Sequence, residues 1–231
     1  SGVVLAPLRT KPGPAMNAAA TWKVDATMIL SRAEIGVVVA DLKRRAKRSV
    51  NSRMNLAIFR LSTCCGLRVS EIIGLKLSDM RVGIARPYIN LRKAIAKGGK
   101  ARRVPLWWDA GTLADIEAWK TERQDQGANP PEPFICSQAA DACGYPLDRQ
   151  AARKRFLVAC RALGKDRQAE LTIHHGRHSF VSHALAGGRS VTEVRDAAGH
   201  SSINTTSLYA HVVTDDEEEV GDLFSFATAW R

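Results

Sequence analysis

The stretch from Leu171 to Tyr209 constrains this chain more than any other, because groups able to hold a phosphate alternate in it with helix start and stop signals. His174 and Arg177 stand three residues apart, so on a helix they share a face. An imidazole and a guanidinium placed that way can address one phosphate, and the planar fork of arginine matches phosphate oxygens. An apolar helix from Phe180 to Leu185 follows and ends at Gly187 and Gly188. Ser190 and Glu193 fit a capping box for a short helix that stops at Gly199, with His200 directly after the stop. Ser201 or Ser202 can cap a last helix carrying Tyr209 two turns in. Taken singly, a tyrosine is more often a packed aromatic than a nucleophile; the order of the groups around it is what carries information.

The rest of the chain reads as helices with one small sheet. Ser31 and Glu34 fit a capping box for a helix to about residue 47, with Ile35, Val38, Val39 and Leu42 on one face. Its end carries Lys43, Arg44, Arg45, Lys47 and Arg48, a solvated basic face in preference to a phosphate contact. Further helices are expected at 51–65, 69–75, 109–125, 149–163, 176–187, 191–198, 203–213 and 219–229. Residues 82–91 and 101–106 read as two short strands joined by a turn at Lys97-Gly98-Gly99-Lys100, where glycine tolerates positive φ. The fold class is mainly α with a small antiparallel β-sheet. Residues 1–28, with Pro7, Pro12 and Pro14, read as an arm or linker ahead of one domain over 29–231.

Charge narrows the partners. The 231 residues carry 34 Lys and Arg against 23 Asp and Glu, a net +11. The excess is uneven, since Asp215, Asp216, Glu217, Glu218, Glu219 and Asp222 crowd the end of the chain. A basic body favours polyanions through counterion release. Five cysteines without zinc-type spacing read as reduced thiols. No run of about 18 apolar residues suggests a membrane span, and the start lacks a secretion pattern, so a cytoplasmic protein is expected.

At this point four motifs fall into order. His174-x-x-Arg177-His178, then Gly199-His200-x-Ser202, Thr205-Thr206 and Tyr209 resemble the signature of the phage integrase, or tyrosine recombinase, family. Gly66-Leu67-Arg68-Val69-Ser70-Glu71 resembles its first motif, and Lys97 to Leu106 its β-hairpin lysine motif. The resemblance runs over about residues 29–213.

It implies the tyrosine-recombinase catalytic-domain fold and site-specific recombination of double-stranded DNA through a 3′-phosphotyrosyl intermediate, with no cofactor and no metal. Tyr209 would be the nucleophile, storing the phosphodiester bond energy so that rejoining needs no ATP. Arg68 and Arg177 would clamp the phosphate and stabilise its transition-state charge. His174 would assist proton transfer from tyrosine or hydrogen-bond the phosphate, and His200 would hydrogen-bond a phosphate oxygen. Lys97 would be the general acid for the 5′ oxygen, with Lys100 as second choice. Glu71 would orient a catalytic side chain, and Lys100, Arg102 and Arg103 would contact DNA. A homo-oligomer on DNA, a tetrameric synapse, is implied.

The pattern departs from the family in places. Ile173 and Gly176 stand where proline and leucine are frequent, and Gly176 in a helix start costs roughly 1 kcal/mol relative to Ala. Cys65 replaces a frequent threonine, and Ala197 and Ala198 replace bulkier residues. The 28 residues ahead of the domain are too few for the family's N-terminal DNA clamp, which points to an excised catalytic domain or a short recombinase resembling fimbrial phase-switching invertases. Without a clamp, DNA binding should be weak and salt-sensitive. The apolar residues after the acidic run, Val220, Leu223, Phe224, Phe226 and Trp230, suit a helix packed in cis or docked on a neighbouring protomer. Two other readings stay open: a type IB topoisomerase-like DNA relaxation, and a non-catalytic DNA-binding module. A zinc site at His174 and His178 lacks a third ligand, and a metal nuclease lacks clustered acids.

Overall fold

The computed structural model describes residues 26–210. The expected arm lies almost wholly outside that span, as do the acidic run from Asp215 and the helix expected at 219–229.

One helix organises the rest. α2 (Val50–Thr63) is started by Ser49, whose hydroxyl accepts from the Ser52 N–H. From Met54 onward it is buried on every side. A helix without a polar face has to lie inside the fold, and α1 (Arg32–Ala46), α4 (Ala110–Asp125), α5 (Arg149–Ala159) and α7 (Ile173–Ala186) pack around it. Phe59 of α2 stacks on Phe156 of α5 with ring centroids 5.9 Å apart. Each such side chain, once enclosed, contributes roughly 1.5–3 kcal/mol.

The capping box that starts α1 forms as expected: the Glu34 N–H donates to Ser31 Oγ at 3.1 Å, and the Ser31 N–H to Glu34 Oε2 at 2.7 Å. Ile35, Val38 and Leu42 face the core. The backbone just before α1 is tied to α7, because the Leu30 N–H donates to Ser179 Oγ at 2.8 Å and the Leu30 carbonyl bonds His183 Nε2 at 2.7 Å.

The sheet has three strands, not the two expected. β1 (Met80–Arg81) pairs antiparallel with β2 (Tyr88–Leu91), and β2 with β3 (Arg102–Pro105), in register Ile89 to Val104 and Leu91 to Arg102. Gly83 at φ 74° and Pro87 separate β1 from β2, so the strand expected at 82–91 keeps only its last four residues and β1 lies ahead of it. The link from β2 to β3 is a ten-residue excursion, 92–101, rather than a tight turn. Gly98 and Gly99 do take positive φ in it, at 74° and 67°.

Two further departures concern helices. α6 (Lys165–Glu170) has no counterpart in the sequence expectation, and α7 starts three residues earlier than 176. Gly176 is therefore an interior residue, and its missing side chain is what lets α7 approach α2. A Cβ there would lie 2.8 Å from Thr63 Oγ1 and 2.9 Å from Ser62 Oγ. The helix-propensity cost of glycine is offset by close packing of the two helices that carry the site. α3 (Val69–Gly74), α8 (Val191–Ala198) and α9 (Ile203–Ser207) complete the described fold and converge with β3 beyond the C-terminal end of α2.

Candidate active site

Glu71 is the anchor of this convergence. It sits one turn into α3, fully buried, and accepts from Arg102 Nη1 and Nη2 at 2.9 Å each. It also accepts from the Arg68 N–H at 2.9 Å and Arg68 Nη1 at 3.2 Å. Burial pushes its carboxyl up, but the bonds and charges of Arg102 and Arg68 outweigh that and hold it down at about 2. Glu71 is thus ionised, and the bidentate fork is the strong form of such a pair.

Arg102 is placed otherwise than expected. Its guanidinium turns inward to Glu71, and its Nε donates to the Ala197 carbonyl at 2.9 Å. It is a strut binding β3 to α3 and α8, with no fork left for DNA. Gly199 makes this possible: at φ 68° it ends α8 in the left-handed region, and a Cβ there would lie 2.8 Å from the Arg102 guanidinium carbon. Arg103, the next residue, is exposed on the other face of the sheet edge and lies 4.7 Å over the Tyr88 ring.

With Glu71 held by Arg102, the remaining guanidiniums carry the charge of the site. Arg68, at the N-cap of α3, reaches the Gly199 carbonyl at 3.3 Å. Arg177, on α7, is only 7% exposed and donates to the carbonyls of Gly66 and Ala198 at 2.5 and 2.6 Å. Burial first, and then Arg68, pull its acidity constant down to about 9, so it remains a cation at neutral pH. The groups in electrostatic reach of His174, which is exposed, are Arg153, Arg177, Arg68 and Lys97; burial and these cations lower its basicity. Lys97 stands exposed on the β2–β3 excursion, in a 3-10 turn with Gly98 and Gly99, within electrostatic reach of His174. Lys100 is exposed just beyond that turn.

Tyr209 follows α9 and is only 4% exposed. Its Oη lies 2.7 Å from Nδ1 of His178, and the two rings stack with centroids 5.7 Å apart. The His200 ring is also near-parallel to it, at 6.2 Å. His200 Nδ1 bonds the hydroxyl of buried Thr206 at 2.9 Å, which fixes the imidazole against α9. Burial, then Arg177 and Arg68, hold His200 down at about 3; burial, then His175, His174 and Arg177, hold His178 at about 4. Both are neutral at pH 7. Burial raises the Tyr209 phenol despite nearby Arg177, so it keeps its proton.

The structure therefore brings together Arg68, Glu71, Lys97, His174, Arg177, His200 and Tyr209, and withdraws Arg102. Sequence reasoning missed three members. His178 was readable in the motif, one residue after Arg177 and four after His174, yet carried no catalytic role there. Thr206 stood in the motif without a role. Arg153 of α5 carries no sequence signal, because only the packing of α5 beside α7 brings it near His174.

Known proteins bear on this geometry. The curated tyrosine recombinase XerC of Bifidobacterium longum is 31% identical over 178 residues, 75% of this chain and 47% of that protein. The chain spans about half the length of the curated relatives it matches. Among solved structures, XerH recombinase bound to its difH substrate before cleavage shares the fold with a TM-score of 0.63 and 22% identity, covering 83% of this chain and 52% of that one. A lambda integrase tetramer bound to a Holliday junction gives a TM-score of 0.58 at 17% identity, over 88% of this chain and 53% of that one. Residues 37–215 match the sequence profile of the Phage integrase family, and the chain belongs to that family.

Proposed function

We propose that this chain carries the strand-cleaving and strand-joining site of a site-specific recombinase acting on double-stranded DNA. The observation that carries the reading is a nine-tenths buried cation within electrostatic reach of a protonated phenol: Arg177 on α7 and Tyr209 after α9. A guanidinium taken out of water is costly unless an anion meets it. A phosphodiester supplies that anion, and gains a further charge as it becomes a five-coordinate phosphorane.

In this reading Tyr209 Oη attacks the phosphorus and forms a 3′-phosphotyrosyl link. Arg68 and Arg177 hold the non-bridging oxygens where charge develops. His200, fixed by Thr206, and exposed His174 hydrogen-bond the same phosphate. Lys97 protonates the departing 5′ oxygen; its electrostatic reach to His174 supports it over Lys100. Glu71 holds Arg68 in place and acts as a positioning residue. Lys100 and Arg103, both exposed on the β2–β3 side, contact the DNA backbone. Strand exchange between two duplexes needs more than one site, which supports assembly of several copies on DNA, four by likeness to the lambda integrase complex. Among the described residues no helix is long and apolar enough to cross a membrane, and DNA as substrate supports a cytoplasmic activity.

The test uses a pool of duplexes of randomised sequence, each nicked so that a short strand diffuses away after cleavage. Protein joined to DNA is recovered from a denaturing gel and the attached sequences are read. A covalent adduct forming in EDTA and lost in Tyr209→Phe is expected. An adduct that persists in Tyr209→Phe, or that needs a metal ion, overturns the reading.

A further inference from the structure

Resting on that reading, we propose that His178 takes the proton of Tyr209 during cleavage and returns it during rejoining. Two histidines on α7, His174 and His178, stand one turn apart and could each serve Tyr209. Only His178 is placed to do so. Its Nδ1 is 2.7 Å from the nucleophilic oxygen and the rings stack, whereas His174 is exposed among Arg153, Arg177, Arg68 and Lys97. That distance lies within the reach a general base needs.

The direction of the hydrogen bond follows from the charges of the site. The phenol is protonated and the imidazole neutral in the free protein, and in the tautomer with the imidazole proton on Nε2, the one this role requires, Oη–H donates and Nδ1 accepts. The groups facing His178 are His174, His175 and Arg177 from α7, Tyr209 after α9, and His200 after α8. Burial, and then the charge of its neighbours His175, His174 and Arg177, keep His178 a weak base while the site holds no anion. A bound phosphodiester cancels that charge, and the second negative charge of the phosphorane makes the imidazolium favourable when it is needed. The arrangement couples deprotonation of the nucleophile to occupation by DNA.

The step balances. As Oη bonds to phosphorus, its proton passes to His178 Nδ1. The bond from phosphorus to the 5′ oxygen breaks, and that oxygen takes a proton from Lys97. In rejoining, the 5′ hydroxyl gives its proton to Lys97 and attacks phosphorus, and the departing phenolate recovers its proton from His178.

The experiment takes duplexes enriched by the wild-type chain from the randomised pool and measures single-turnover cleavage by the full chain. His178→Ala and His178→Asn should each slow cleavage by about 10²–10⁴-fold, the usual worth of a general base. Fluorinated tyrosine at position 209, whose phenol ionises more readily, should restore most of the loss in both. Sulfur at the 5′ bridging position, a leaving group that needs no acid, should restore Lys97→Ala but neither His178 variant. Two results would overturn the proposal: His178→Asn cleaving like wild type, which makes the contact one of position alone, or fluorotyrosine failing to restore a folded His178→Ala chain. If the wild-type chain forms no Tyr209-dependent adduct with any member of the pool, the recombinase reading itself fails, and this one with it.

Discussion

Positive charge gathers at both ends of α2, and the two clusters differ in what surrounds them. At the N-terminal end Arg44, Arg45, Lys47, Arg48 and Arg161 line an open cleft with Ser49 and Ser52. Asp41 accepts from Arg44 and Arg45 at 2.6 Å each, and Arg44 and Arg161 keep 76% and 54% of their side chains in water. About 20 Å away, the length of a 14-residue helix, Arg68 and Arg102 meet one carboxylate, Glu71, near Arg177, which is almost wholly enclosed and bonded to backbone carbonyls. Water and Asp41 already solvate the first cluster, so binding an anion there adds little. The second has lost its water and has one carboxylate among three guanidiniums, so an entering phosphate replaces solvation that folding removed. Counting basic residues cannot separate these ends; burial can.

The sharpest way to break the comparison is to remove one arginine from each end. Arg177→Ala should cut single-turnover cleavage by at least about 10²–10³-fold, the usual worth of one preorganised charge donor. Arg177→Lys should recover little, since a point charge does not replace the fork. Arg44→Ala, read on the same gel, should leave the rate near wild type. Equal losses at both ends would mean that burial is not what makes the catalytic cluster.

Next in size is the carboxylate. Glu71→Gln leaves Arg102 and Arg68 facing a neutral group in a buried place, and should lower unfolding free energy by about 3 kcal/mol or more at pH 7. The sign with pH follows from the depressed acidity: Glu71 sits at about 2 in the fold against 4.5 ordinarily. Its contribution is complete above pH 4.5 and is lost as pH falls toward 2. The gap between wild type and variant in urea unfolding should therefore narrow by roughly 1 kcal/mol between pH 7 and pH 3.5. A gap that stays constant would show that Glu71 is not held as an ion. Smaller again is Gly176→Ala. Better helix propensity argues for stabilisation by about 1 kcal/mol, but a Cβ 2.8 Å from Thr63 Oγ1 argues for a loss of roughly 1–3 kcal/mol. The clash should win, and a raised melting temperature would show that α2 and α7 can part without cost.

Local signals were the legible part of the fold. Ser31 with Glu34, and Ser190 with Glu193, announce α1 and α8, because a capping box is written in four consecutive residues. The site was legible to the extent that its motif is contiguous, as from His174 to Tyr209. What failed depends on neighbours distant in sequence. Arg102 read as a surface base, since nothing in the hairpin shows that β3 packs beside α8 and delivers it to Glu71, 31 positions back. Gly176 read as a weakness because its cause, the hydroxyls of Ser62 and Thr63, lies on another helix. β1 is two residues long, too short for alternation to show.

The smallest expected effect tests the cluster at the N-terminal end of α2. Arg44→Ala with Arg48→Ala should change stability by no more than about 0.5 kcal/mol, the usual range for exposed side chains. Its informative readout is the salt dependence of DNA affinity. If neither arginine touches a phosphate, the slope of log affinity against log salt stays at the wild-type value, while Lys100→Ala lowers it by about 1. Should the double variant lower the slope by about 2 without slowing cleavage of bound DNA, this end of α2 also contacts the duplex. The comparison would then change from one working cluster against one solvated face to two phosphate contacts of different kinds. The exposed one would contribute affinity that salt screens, and the buried one would contribute chemistry that salt hardly reaches.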